Sequence, residues 1–371
     1  MKFSLFALEE WFDRYEFKVD YMLGSSSCAG MTVEELFDLT GESVDFHHTM
    51  LTAPPVSGDP DLLESISTWY ENTEPDEIHV TCSSTEAIFL LTHSLLKPGD
   101  SVVAMFPMYP SLYQAAEDLG AEIRRWHLRH ENNFQPDFDE LVSLVDGSTR
   151  LIILNNPHNP TGQTLDEKEL KKVISIASRV GAKVWCDEVF RGITVKGNSL
   201  TPSIRDVDGE TIAIGSMSKV FGLSGLRIGW IAAPKDILDS LRHIRYFTTV
   251  CSPVIEQKLA AIAHRHRDKV LARNQAIVDR NFPVLEKWIQ NQNGIFDWVK
   301  PVGGPITFPR FIPEINTNEL CRVLAEEYSV LIPPGKYTFD SEGFIRIGYG
   351  IKDGFEEGLE IVSSVIQAYL D

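Results

Sequence analysis

The chain has 371 residues and a formal net charge of −19, and 43% of its residues are hydrophobic. This size and composition are typical of a globular protein of about two domains. No apolar run approaches the eighteen or so residues of a membrane span, so we expect none. The negative charge repels phosphate backbones, so we expect no nucleic-acid partner. The one basic run, at 264–269, is explained by a solvated helix face.

Two further features bear on the environment of the protein. Residues 1–20 mix acidic, basic and aromatic side chains, which is not the pattern of a signal peptide. The five cysteines are widely spaced and none forms a C-x-x-C pair. We therefore expect no disulfide framework, no metal site and a reducing, cytoplasmic environment.

Between residues 78 and 233, short apolar runs alternate with helical patterns. The runs are continuously apolar, as expected of strands covered on both faces. One intervening segment has apolar residues at helical spacing from 170 to 177, with Thr164 and Glu167 as a capping box and Gly181 at its end. Strands alternating with helices predict an α/β fold with a doubly wound, mostly parallel sheet. The predicted strands are 78–82, 101–105, 151–154, 183–186, 211–214 and 228–233.

The pattern changes after residue 252. A long helical stretch over 254–291 leads to a region punctuated by glycine and proline, with short strand-like segments at 306–311, 330–332 and 344–350. These segments predict a smaller α+β domain. The predicted organisation is an N-terminal arm joined to the small domain over 1–40, a large domain over 41–255, and a linking helix with the small domain over 256–371.

Three polar clusters follow predicted strands: residues 155–162, then Asp187 with Glu188, then 216–219 with Arg227 further on. Singly, these could be a structural turn, a helix cap and an exposed lysine. The glycines near Arg227 do not form a nicotinamide-binding motif. Because ligands bind beyond the carboxyl ends of parallel strands, clusters at successive strand ends predict one shared ligand site.

The motifs NPHNPTG at 156–162, CDEVF at 186–190 and SMSK at 216–219 stand in a familiar order. Together with GLRIGW at 225–230 and IPPGKYTFDSEGFIRIGYG at 332–350, they resemble the aspartate aminotransferase family (class I/II) of fold type I enzymes. These enzymes use pyridoxal 5′-phosphate (PLP). The resemblance extends from about residue 54 through most of the sequence, and it implies a homodimer with sites at the subunit interface.

The resemblance also implies a role for individual residues. Lys219 would bind PLP covalently and, once released, move the α-proton of an amino-acid substrate, which requires a lowered lysine pKa. Asp187 would pair with the ring nitrogen of PLP and maintain the ring as an electron sink. The remaining implied contacts are Asn159 at the ring 3′-oxygen and beside the substrate, Tyr109 stacked on the ring, Ser84, Thr85, Ser216 and Arg227 around the phosphate, and Arg346 at the substrate carboxylate.

Three positions depart from the aminotransferase pattern. Phe190 stands where the family usually has a tyrosine that donates to the ring 3′-oxygen. Ala53 stands where a tyrosine usually reaches the phosphate in the neighbouring subunit, and Ser83 replaces the glycine before the phosphate-binding pair. The binding groups are thus present, but groups that tune a typical transaminase are missing.

The N-terminal sequences LEEWFDRYEF at 8–17 and LGSSSCAG at 23–30 add a second resemblance, to capreomycidine synthase-type arginine cyclases. These enzymes close a ring on a hydroxylated arginine and retain its amine. A guanidinium substrate favours carboxylate partners, so Glu9 and Glu10 are candidates if the N-terminal helix covers the site. The alternative interpretation is that Glu9 and Glu10 simply lie on an exposed helix face. Ser25 and His47 are weaker candidates for lining the substrate pocket, and the sequence favours a structural role for His47 and His48, because no other ligand lies at metal spacing.

The sequence therefore predicts a PLP-dependent cyclodehydratase acting on a hydroxylated L-arginine. A hydroxyl on Cβ would give a six-membered capreomycidine-type ring, and one on Cγ a five-membered enduracididine-type ring. The alternative is an aminotransferase that passes the amine of an L-amino acid to a 2-oxo acid. A third hypothesis, a non-catalytic ligand sensor on the same fold, is disfavoured by the complete set of catalytic groups.

Overall fold

The computed structural model describes residues 3–370, which form a seven-stranded central sheet and a set of shorter strands near the C-terminus. In sheet order β1-β7-β6-β5-β4-β2-β3, the five strands from β6 to β3 are parallel to one another, whereas β7 is antiparallel to both β1 and β6. This confirms the predicted doubly wound, mostly parallel sheet. The strands are β1 (Ile78–Thr81), β2 (Ser101–Phe106), β3 (Glu122–His127), β4 (Thr149–Asn155), β5 (Lys183–Asp187), β6 (Ile212–Ser216) and β7 (Gly229–Ala232).

The sequence predicted all of these strands except the edge strand β3. Its sequence is EIRRWH, and only Trp126 is buried, opposite Met105 of β2. An edge strand with charged residues has no continuous apolar run, because one of its sides faces solvent and charge there protects against unwanted pairing. The other six strands were recognisable because their residues are buried along most of their length.

Helices pack against the sheet and are the most extensive regular elements of the protein. One predicted cap was wrong by two residues: α7 is capped by Asp166 and Glu169, not by Thr164 and Glu167. No helix within residues 3–370 is long and apolar enough to cross a membrane. The helices are α1 (Ala7–Tyr15), α2 (Val33–Thr40), α3 (Pro60–Ser67), α4 (Ser83–Leu95), α5 (Ser111–Leu119), α6 (Phe138–Leu144), α7 (Glu167–Ser178), α8 (Ile204–Val207), α9 (Lys235–Arg245), α10 (Val254–Arg265), α11 (Arg267–Gln290), α12 (Thr317–Glu327), α13 (Gly335–Phe339) and α14 (Phe355–Leu370).

The helix predicted over 254–291 is divided into α10 and α11 at His266. The basic run at 264–269 is also not a single solvated face, because His264 is completely buried. Its ring stacks on Phe221, with centroids 5.5 Å apart, and meets Trp230 edge-on. Burial lowers the pKa of His264 to about 3, so this residue adds no positive charge.

The N-terminal segment pairs with the C-terminal part of the protein. Four short strands lie there: β8 (Phe296–Asp297), β9 (Ile306–Thr307), β10 (Arg310–Phe311) and β11 (Ile347–Gly348). Tyr21 forms a parallel bridge with Val330, and the Leu331 N–H donates to the Tyr21 carbonyl at 2.9 Å. The Gly348 N–H donates to the Leu23 carbonyl at 2.7 Å. The N-terminal segment thus packs on the region of the short strands. The predicted domain boundaries after residues 40 and 255 stay a prediction.

Candidate active site

The carboxyl ends of β4, β5 and β6 lie side by side, and this arrangement brings the three polar clusters together. The Asn155 amide and the Asn156 N–H both donate to the Asp187 carbonyl, each at 2.9 Å. The Asn155 side-chain oxygen in turn accepts from the Asn159 N–H at 2.6 Å. The loop after β4 is therefore fixed to the end of β5 by buried hydrogen bonds.

Asp187 is a buried carboxylate, with 4% of its surface exposed. Burial raises its pKa to about 6, although the Val189 N–H donates to Oδ1 at 3.0 Å and Lys219 favours the ionised form. A buried carboxylate of this kind gains most from a cationic partner that shares its cavity. The protonated ring nitrogen of PLP is such a partner, so Asp187 fits the role predicted for it.

Lys219 lies just beyond β6, partly buried, and its Nζ donates to the Ser26 hydroxyl at 3.0 Å. Burial lowers the pKa of Lys219 to about 8, and positive charge on Arg346 and Arg227 acts in the same direction. Glu9 and Asp187 oppose this effect. The lysine therefore reaches its neutral, nucleophilic form much nearer to neutral pH than a solvated lysine does.

Arg346 is almost completely buried, with 1% of its surface exposed. Its guanidinium donates to the Asn159 side-chain oxygen at 3.2 Å and to the Gly24 carbonyl at 2.9 Å. Its Nε has no hydrogen-bond partner within residues 3–370. The Phe12 and Phe339 rings lie 5.7 and 5.4 Å from the guanidinium carbon. A buried guanidinium with an unsatisfied N–H is suited to a carboxylate ligand, as predicted for the substrate.

The predicted phosphate-binding residues Ser84 and Thr85 lie at the N-terminus of α4. Ser83 begins this helix with φ +75, a left-handed conformation that explains why a glycine is usual at this position. A Cβ on Gly229 would lie 2.5 Å from the Ser83 backbone, so β7 needs a glycine here. Ser84 and the exposed Thr85 occupy the first turn of α4, where free N–H groups and hydroxyls suit an anion.

Ser216 and Arg227 lie at the other side of this site. The Ser216 hydroxyl is buried, accepts from the Ser218 N–H at 3.0 Å and lies 3.0 Å from the Ser218 hydroxyl. Arg227 is exposed, has φ +50 and donates to the Ser224 carbonyl at 2.8 Å. A cation and a hydroxyl group are the side chains that a phosphate monoester requires in addition to a helix N-terminus.

The N-terminal helix α1 contacts the site through Glu9 and Phe12. The Tyr109 hydroxyl donates to Glu9 Oε1 at 2.8 Å, and the rings of Tyr109 and Phe6 are 5.4 Å apart. Burial raises the pKa of Tyr109 well above its usual value, and Glu9 adds to this effect. Glu10, in contrast, accepts from Tyr337 of α13. Of the two acids predicted as substrate partners, only Glu9 contacts a predicted cofactor-binding residue.

The other two predicted substrate residues are less closely tied to the site. The Ser25 hydroxyl accepts from the Ser27 N–H at 3.2 Å, within its own loop. His47 is exposed, and its backbone N–H donates to Asp45 at 3.1 Å. Its segment lies beside a groove lined partly by α10. The structure does not bring His47 to the lysine and arginine of the same protomer.

Three groups that contact Lys219 or Arg346 were not predicted from the sequence. They are the Ser26 hydroxyl, the Gly24 carbonyl and the Phe12 ring. The run of three serines at 25–27 was a signal, but an irregular loop has no periodicity from which to tell which hydroxyl faces the site. Phe12 follows Glu9 by three residues in α1, so helical spacing alone could have placed both on one face.

This fold and this set of side chains define a PLP-dependent enzyme of fold type I. Residues 21–361 match the family model for aminotransferase class I and II, and the chain belongs to this family. When bound, PLP supplies an electron sink that stabilises negative charge at the substrate α-carbon. Lys219, Asp187, Ser84, Thr85, Ser216 and Arg227 are the residues that would hold it here.

Comparison with individual proteins gives both cyclases and aminotransferases. The chain is 31% identical over 361 residues to capreomycidine synthase from Streptomyces vinaceus, with coverage of 96% of this chain and 92% of that protein. Its structure is similar to a PLP-dependent aminotransferase from Streptococcus suis, with 32% identity, a TM-score of 0.92 and coverage of 100% and 99%. It is also similar to the PLP-dependent cyclase OrfR, with 27% identity, a TM-score of 0.91 and coverage of 99% and 98%.

Proposed function

We propose that this protein is a cyclodehydratase that converts a hydroxylated L-arginine into a cyclic guanidino amino acid of the capreomycidine or enduracididine type. The observation that carries the proposal is the position of Glu9, which α1 places against Tyr109. Similarity to capreomycidine synthase and to the cyclase OrfR supports it. Glu9 thereby offers a carboxylate on the side of the site from which a substrate side chain would approach.

The charge of Glu9 acts on both ends of the site. Its carboxylate raises the pKa of Lys219 and of Arg346, in each case against the larger effect of burial. A substrate whose carboxylate binds Arg346 and whose α-carbon faces Lys219 would extend its side chain from between these groups. A guanidinium at the end of that side chain would find Glu9 as its charged partner, and a charge-assisted hydrogen bond there is among the strongest available.

Phe190 supports the same proposal from the cofactor side. It is completely buried, and its ring packs 3.3 Å from where a Cβ on Gly304 would lie. A phenyl ring has no hydroxyl to donate, so the tyrosine donor implied by the aminotransferase resemblance is missing.

The proposed reaction loses one water and retains the amine. Lys219 takes the α-proton and later returns it, so the lysine is unchanged after a turnover. The bond between the hydroxylated carbon and its oxygen breaks, and the electron pair leaves with oxygen. A guanidine nitrogen forms the new C–N bond and gives up a proton, and the hydroxyl with this proton makes up the water. No oxidant and no acceptor acid is needed.

The second candidate is an aminotransferase. Its support is the similarity to the Streptococcus suis aminotransferase, which spans the whole length of the protein. In that reaction the amine would leave the substrate and a 2-oxo acid would accept it. Lys219, Asp187 and Arg346 would have the same tasks in both reactions, so these residues do not separate the two candidates.

We also propose a homodimer. Large apolar side chains are exposed in two segments: Met50 and Leu51 beside the groove that α10 partly lines, and Tyr246 and Phe247 between α9 and α10. Phe247 is 91% exposed. Exposed apolar side chains of this size favour an interaction surface, and a second copy is the partner that the family resemblance implies.

Mass spectrometry of the purified enzyme with β- and γ-hydroxyarginine tests the proposed function. We expect a product one water lighter that keeps an ¹⁵N label at the α-nitrogen, with or without a 2-oxo acid.

Glu9→Gln should reduce turnover of hydroxyarginine by about ten- to a hundred-fold, and turnover of a neutral amino acid much less, because one charge-assisted bond is lost. Glu10→Gln is the matched control, since Glu10 is directed to Tyr337. Stoichiometric loss of the α-nitrogen with every substrate would contradict the cyclase and favour the aminotransferase.

A further inference from the structure

The loop at residues 24–28 contacts two side chains of the site, Arg346 and Lys219. The Gly24 carbonyl accepts from Arg346 at 2.9 Å, and two residues later the Ser26 hydroxyl accepts from Lys219 Nζ at 3.0 Å. The Cys28 N–H then donates to the Lys219 carbonyl at 3.0 Å. A single short segment thus contacts the predicted carboxylate-binding arginine and both the backbone and the amine of the predicted catalytic lysine.

The backbone of this loop is fixed independently of the Ser26 side chain. A Cβ on Gly348 would overlap the Ser25 carbonyl, so the two backbones are in direct contact. Likewise, a Cβ on Gly222 would lie 2.5 Å from the Ala29 carbonyl. Close backbone packing on both sides of Ser26 means that its hydroxyl is presented to Lys219 by a rigid support.

Ser26 itself is buried, with 8% of its surface exposed. Its hydroxyl is the only side-chain hydrogen-bond partner of the Lys219 amine within the residues that the structure describes. We propose that Ser26 is a positioning residue that holds the amine of Lys219 in place whenever that amine is not bound to the cofactor. This inference rests on Lys219 being the cofactor-linked lysine, and it applies to a cyclase and to an aminotransferase alike.

A hydroxyl suits this task because it bonds both forms of the amine. It accepts from an ammonium group or from a neutral amine, and it can also donate to the lone pair of the neutral amine. The charged groups that face Lys219 are Glu9 and Glu16 from the N-terminal segment, Asp187 from β5, and the arginines at 227 and 346. With charges of both signs already present, a neutral partner fixes the position of the amine in both charge states and favours the ammonium form only modestly, because its bond with the charged donor is the stronger one.

The first test measures Lys219 without any turnover. The full-length enzyme is loaded with pyridoxamine phosphate, which cannot link to a lysine, and is labelled with a trace of acetic anhydride at a series of pH values. Mass spectrometry of the Lys219 peptide then gives the midpoint of its titration. Ser26→Ala and Ser26→Gly should each move this midpoint to lower pH, by about half a unit to one unit, because an acceptor that stabilises the ammonium form is lost.

The second test follows exchange of the substrate α-proton in deuterated water. Ser26→Ala should slow exchange about tenfold with unchanged cofactor affinity, because the freed amine is no longer held over the α-carbon. Ser26→Thr keeps the hydroxyl and should stay close to the unaltered enzyme in both tests. Ser27→Ala is the control, since it removes a hydroxyl from the same loop.

The proposal is overturned if Ser26→Ala and Ser26→Gly titrate like Ser27→Ala, or if Ser26→Ala exchanges the α-proton at the rate of Ser27→Ala. Neither measurement requires ring closure, so an enzyme that exchanges α-protons but never cyclises hydroxyarginine would refute the proposed function and leave this inference standing. A normal Ser26→Ala titration in an enzyme that does cyclise hydroxyarginine would do the reverse.

Discussion

The site is built from two regions that differ in how they are held. The cofactor cradle, residues 155–162, Asp187 and 216–219, consists almost entirely of buried residues joined by main-chain hydrogen bonds at strand ends. The N-terminal segment proposed to cover the substrate, residues 3–17, is attached by side chains instead: Leu8, Trp11 and Tyr15 of α1 are buried, and the exposed Ser4 bonds Asp118. A cradle held by main-chain hydrogen bonds and a cover held by side-chain contacts allow substrate selection to change without disturbing the cofactor chemistry.

The largest effect on turnover should come from replacing Lys219, the lysine of the cradle. Lys219→Ala should abolish turnover, because the cofactor link and the proton carrier are lost together. Borohydride treatment of the unaltered enzyme should attach PLP to the peptide that contains Lys219, and mass spectrometry would locate the label. A label on another lysine would contradict the assignment.

Burial of the Lys219 amine should lower the free energy of unfolding near neutral pH. Lys219→Met measures this effect in the cofactor-free protein. The unfolded protein keeps the lysine proton up to about pH 10.5, whereas the folded protein loses it near pH 8, the pKa to which burial lowers this amine. Between these values the unfolded state binds more protons, so the free energy of unfolding should rise with pH, by at most about 3 kcal/mol. Urea denaturation from pH 7 to 10.5 should show this rise in the unaltered protein and a flatter profile in Lys219→Met. Equal slopes in the two proteins would show that burial does not perturb this lysine.

Asp187→Ala tests the electron sink. We expect PLP to remain bound while α-proton exchange slows by about a hundredfold or more, because nothing then keeps the ring nitrogen protonated. The measurement is exchange in deuterated water, followed by NMR. Near-normal exchange would mean that the Asp187 side chain is only structural, through its hydrogen bond with the Val189 N–H.

The smallest effect should come from the cover. Asp118 accepts from the Ser4 N–H at 2.9 Å and from the Ser4 hydroxyl at 2.6 Å. Asp118→Ala should raise KM for the amino acid about two- to tenfold with unchanged PLP affinity, because exposed hydrogen bonds contribute little each. Glu117→Ala removes the same charge from the neighbouring position and serves as the control. A change in the cofactor spectrum of Asp118→Ala would show that the cover and the cradle are not separate.

The same contrast explains what could be predicted from the sequence. The sequence predicted the clusters at 155–162, Asp187 and Lys219 because each follows a continuously apolar strand. Strand β3 was missed because half of its residues are charged and interrupt any apolar run. The contact of Glu9 with Tyr109 joins positions a hundred residues apart, and no local pattern specifies it. Ser26 was missed for a related reason: its neighbours are distant in sequence and its loop is irregular.

The contacts of residues 21–28 have a consequence for biosynthesis. The Gly24 carbonyl accepts a hydrogen bond from Arg346, which lies 322 residues later in the sequence, and the Leu23 carbonyl accepts one from Gly348. Residues up to about 350 must therefore be synthesised before residues 21–28 can reach their final place. The sheet can form earlier from nearer neighbours, since contacts between close positions form faster. Assembly of the proposed substrate pocket is thus a late event, and a nascent polypeptide stalled before residue 346 would carry the predicted catalytic lysine but lack the arginine predicted to bind the substrate carboxylate.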